Sequence, residues 1–71
     1  MTDEVRTRLS TITAPYGRQI RLEDVRFESG MRLLRVIIRE GNRITVFEID
    51  ADTAVQWARS MQQWAEQAGA A

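Results

Sequence analysis

Residues 33–49 read LLRVIIREGNRITVFEI, two β-branched, apolar-rich runs (Leu33 to Glu40 and Arg43 to Ile49) joined by Gly41-Asn42. Gly and Asn tolerate the positive φ that two-residue hairpin turns demand, so the stretch predicts a β-hairpin. A two-residue turn also fixes register, and register decides which side chains share a face. Glu40 then opposes Arg43, Ile38 opposes Thr45, Val36 opposes Phe47 and Leu34 opposes Ile49 on one face. Arg39 opposes Ile44, Ile37 opposes Val46 and Arg35 opposes Glu48 on the other.

Upstream, Val5 to Thr13 reads as a first strand and Ala14-Pro15-Tyr16-Gly17 as a turn. Gln19 to Glu28 reads as a second strand, Ser29-Gly30 as a tight turn, and Met31 to Glu40 as the third strand. Downstream, Asp50 is placed as a helix N-cap, with Asp52 beside the positive end of the helix dipole. The helix is expected to run to about Gln67, stopped by Gly69. The fold expected is α+β: a four-stranded antiparallel meander followed by one C-terminal helix on one sheet face. Residues 1–71 form one small domain in this reading, with 1–4 and 68–71 loose.

A turn at Ser29-Gly30 makes Phe27 oppose Arg32 and Val25 oppose Leu34. Ile20 and Leu22 are then out of phase with Val25 and Phe27. One extra residue at Glu23-Asp24, a β-bulge, restores the phase and brings Leu22 to Val36 and Ile20 to Ile38. All these apolar residues then line the face covered by the helix, whose stripe is Ala54, Trp57, Ala58, Met61, Ala65 and Ala68, with Trp64 at its flank. Tyr16, after Pro15, is assigned to packing in the turn.

The second face carries Arg21, Arg26, Arg35 and Arg39 among Met31, Leu33, Ile37, Ile44 and Val46, with Asp24 beside Arg35 and Glu48 opposite it. A solvated sheet face is normally polar throughout. Leu33, Ile37, Ile44 and Val46 are expected to form one contiguous apolar centre, which is unusual to leave bare.

Composition sharpens that concern. A chain of 71 residues buries only about 60% of its unfolded surface and is marginal alone. Small domains lean on staples, and with no Cys this one has no disulfides. With no His either, a transition-metal site would have to be all carboxylate. Oligomerisation is the staple left. Every basic residue is Arg, which suits a GC-rich genome and also suits interface or anion recognition. Net charge is zero, against the basic excess of duplex-DNA binders. The polar start MTDEVRTRLS has no apolar h-region and no run approaches a membrane span, so a cytoplasmic, bacterial-type protein is expected.

Three readings of the second face follow. The first is a protein interface, most simply a homodimer, with Met31, Leu33, Arg35, Ile37, Arg39, Ile44 and Val46 as its residues. In a variant of it, the first strand crosses to a partner's sheet edge. The second is single-stranded nucleic-acid binding through Arg21, Arg26, Arg35 and Arg39. The order of four antiparallel strands and a helix resembles that of Whirly-type single-strand binders, a likeness of topology with no shared residue motif. The third has Val5 to Ile12 folded across the face. An enzyme is not expected, nor a cofactor: no His or Cys exists to act as base or nucleophile. The carboxylate pairs Asp3-Glu4, Glu23-Asp24 and Asp50 with Asp52 each have a structural use.

Overall fold

The computed structural model describes residues 4–69. Four strands, β1 (Glu4–Ala14), β2 (Arg18–Phe27), β3 (Arg32–Glu40) and β4 (Arg43–Ile49), precede one helix, α1 (Ala51–Gln67). They pair antiparallel in the order β1-β2-β3-β4, so the sheet is an open meander with two free edges. This is the α+β architecture that the sequence predicts. Glu4, expected to be loose, instead opens β1 opposite Phe27. Residues 1–3 and 70–71, also expected to be loose, lie outside the described residues.

The β3–β4 hairpin has the expected register at every pair, from Glu40 with Arg43 to Leu34 with Ile49. Only Gly41 takes a positive φ, 58°, and Asn42 does not. A turn with Gly at the first central position needs no more.

The β2–β3 hairpin differs from expectation. Arg26 with Arg32 is its last ladder pair, and Val25 opposes Leu33, not Leu34. The Phe27 N–H donates to the Met31 carbonyl at 2.9 Å, and the Gly30 N–H donates to the Phe27 carbonyl at 2.9 Å. The connection is therefore the three-residue loop Glu28-Ser29-Gly30, with Gly30 at φ 94°. A three-residue loop with a left-handed residue is the next commonest hairpin after two-residue turns. It supplies the extra residue that the sequence reading assigns to a bulge at Glu23-Asp24, and β2 runs through Glu23-Asp24 in regular register with β3. No bulge is needed. Leu22 still meets Val36 and Ile20 still meets Ile38.

The facial consequence reverses half of β2. Ile20, Leu22, Asp24 and Arg26 share the helix-side face, whereas Val25 and Phe27 join Arg21 on the arginine face. A bulge does occur, but in β1, where the register with β2 shifts between Arg8 and Ser10 and leaves Leu9 extra. β1 pairs along the edge of β2. It thus neither crosses the arginine face nor leaves its own sheet.

Asp50 caps α1 as expected, its carboxylate accepting the Thr53 N–H at 2.9 Å. The Thr53 contacts hold the Asp50 carboxyl below its ordinary value. At the far end the Ala68 N–H donates to the Trp64 carbonyl at 2.9 Å. The Phe47 and Trp57 rings are 5.8 Å apart, which ties α1 to β4. Yet no residue of α1 is buried. Val25 and Val36 are the buried apolar residues among those described, and of the two only Val25 is fully enclosed.

Candidate functional site

The arginine face is organised by one ion-pair chain. Arg35 Nη2 lies 2.6 Å from Glu48 on β4 and 3.0 Å from Glu4 on β1, so its guanidinium spans β2. Register places Val25 of β2 between these partners, and Val25 has no exposed surface. Glu23 is the cross-strand partner of both Arg8 and Arg35, which makes a row of alternating charge, Arg8-Glu23-Arg35-Glu48, across all four strands. That row separates Leu33 from Ile37 and divides the apolar centre expected to be continuous. Beyond it Ile37 is half-buried, while Val46 and Ile44 are more than half exposed. On the near side, Leu33 is half-buried and Met31 exposed.

The four arginines assigned to this face are not equivalent. Arg35 is committed to Glu4 and Glu48. Arg26 sits on the opposite face, where its Nε donates to Asp24 at 3.2 Å. Arg32 Nε donates to the same carboxylate at 2.7 Å. These bonds, Arg32's first, hold the buried Asp24 carboxyl below its ordinary value. Arg21 and Arg39 remain, and with Gln19, Ile37 and Ile44 they line a shallow pocket of about 260 Å³. Arg21 Nη1 lies 3.9 Å from a Glu23 carboxylate oxygen, while Arg21 Nε and Glu23 Oε1 are buried without hydrogen-bond partners. The neighbours Glu23 and Asp24 point to opposite faces of β2, so they cannot serve one reaction centre. Tyr16 is 92% exposed, not packed in its turn, with the Arg18 guanidinium 5.9 Å from its ring centre.

A second surface lies on the helix side and has no counterpart among the expected site residues. Between α1 and the sheet runs an apolar groove of about 300 Å³. Leu22, Val36 and Leu34 contribute to its floor, Ala54, Trp57, Ala58 and Met61 to its helical wall, and Ile12 of β1 to its other side. The expectation that α1 covers this face is thus met only in part: Trp57 is 40%, Met61 53% and Ile12 48% exposed. The cause is width. A helix is about 10 Å across and strands are about 4.8 Å apart, so one helix shelters two strands, not four. The strand and helix counts in the sequence carry that signal.

No helix among the described residues is long and apolar enough to cross a membrane. No curated protein matches the chain. No solved structure matches it either. Residues 3–67 match a family described as "Family of unknown function (DUF6967)". With nearly its whole length inside that match, the chain belongs to the DUF6967 family.

Proposed function

We propose that the protein is a non-catalytic interaction module that acts as a homodimer. One observation carries the reading. The chain exposes 5975 Å², whereas a folded monomer of 8.2 kDa exposes about 4,500 Å². The surplus of roughly 1,400 Å² is what one subunit contributes to a large, obligate dimer interface. A radius of gyration of 14.1 Å against about 11 Å for a compact chain of this length supports the same conclusion. A second copy is the simplest partner, because a two-fold pairing uses one surface twice. A chain without Cys suits a reducing cytoplasm. Sedimentation equilibrium at micromolar concentration is expected to give twice the 8.2 kDa chain mass. A monomer there overturns the reading.

Single-stranded nucleic-acid binding is the second reading, favoured by the pocket that brings Arg21 and Arg39 together. It predicts salt-sensitive binding of a mixed oligonucleotide that Arg39→Ala weakens. Absence of binding at low salt removes it. The same face lacks an aromatic stacking platform at its centre: Phe27 is at one end, and Phe47 lies on the helix side.

A further inference from the structure

The groove between α1 and the sheet is lined by apolar residues alone, and it adjoins the more exposed of the two tryptophans. Met61 lines the groove, and Trp64, one turn further along α1, is 69% exposed. Residues three apart on a helix are surface neighbours, so the groove and the indole form one continuous patch. Under a two-fold axis such a knob and hole would each meet the other on the second copy, closing the pair in a dimer. Exposed tryptophans beside apolar recesses are the usual anchors of such interfaces.

We propose that the groove is the seat of a second copy of this chain, whose Trp64 and adjoining helical flank fill it, while its own groove receives Trp64 in return. The proposal rests on the homodimer reading above and names the surface that serves it. Three observations select this side over the arginine face. The sheet is four strands wide and has one helix of its own, so its β1–β2 half, with Leu9, Ile12 and Ile20, awaits a second layer. The groove lining is apolar throughout, whereas a row of four charges crosses the arginine face. The exposed surplus of roughly 1,400 Å² exceeds the ~800 Å² per subunit of a standard stable interface, and the helix side offers both tryptophans to such an interface, Trp57 at 40% and Trp64 at 69% exposure.

The test compares the masses of wild type, Ala58→Glu and Ile37→Asp by light scattering after gel filtration at micromolar concentration. Ala58 is exposed in the single chain, so the glutamate leaves the fold intact, which circular dichroism checks. The expected result is a wild-type dimer, a monomer for Ala58→Glu and a dimer for Ile37→Asp, the change on the arginine face. A dimeric Ala58→Glu, whatever the state of Ile37→Asp, overturns the groove and leaves the homodimer standing. A monomeric wild type overturns both. If both variants are monomers, Trp57→Phe decides by leaving Trp64 as the sole tryptophan. Blue-shifted emission that reddens as the dimer is diluted apart supports the proposal, and the emission of a solvent-exposed indole at every concentration overturns it.

Discussion

Tyr16 carries the one positive φ, 65°, among the non-glycine residues described. A side chain in the left-handed region costs about 1 kcal/mol, and Asn tolerates it better than Tyr. Tyr16 has little packing to lose, being almost fully exposed. Tyr16→Asn is therefore expected to raise stability by about 0.5 kcal/mol in urea denaturation. Arg35 is the opposite case. Its side chain is 14% exposed and bridges Glu4 and Glu48. Arg35→Ala removes those bonds and uncovers Val25, for an expected loss of roughly 1–2 kcal/mol, moderated because the two carboxylates keep partial access to water. Neither effect is legible from the residue alone. The pairing of Arg35 with Glu48 follows from the Gly41-Asn42 turn, but its reach to Glu4 requires β1 to be in place on the far side of β2.

At the level of elements, the β2–β3 hairpin shows how a single residue of loop length redistributes faces. Its three-residue loop sends Asp24 to the helix side, where Arg26 and Arg32 bind it. The carboxyl is held below its ordinary value in the folded chain, so the stability it provides is full above that value and is lost as pH falls through the folded value. Thermal stability is expected to drop between about pH 5 and pH 3, and Asp24→Asn to melt lower at neutral pH with a shallower acid decline. An equally steep decline in the variant assigns the acid sensitivity elsewhere. Gly30 has open space around it, so Gly30→Ala tests the backbone alone. At φ 94° an added Cβ is expected to cost about 1 kcal/mol or more.

For the whole molecule, the shortage of core is the controlling fact. Folding that is completed by association follows mass action, so the melting temperature is expected to rise with protein concentration. A concentration-independent transition shows that the single chain is stable without its partner.

The strand order, the β3–β4 register, the Asp50 cap and the apolar stripe of α1 were all determined by the sequence, because each depends on local chemistry: turn propensity, alternation, capping and helical period. The loop at Glu28-Ser29-Gly30 was not, since Ser29-Gly30 suits two-residue and three-residue loops alike and the phase of β2 hangs on the difference. Tertiary structure alone decided that Val25 lies beneath Arg35, that Arg26 leaves the arginine face, and that α1 shelters only part of the sheet. These depend on distances between elements far apart in the chain, and no local pattern encodes them.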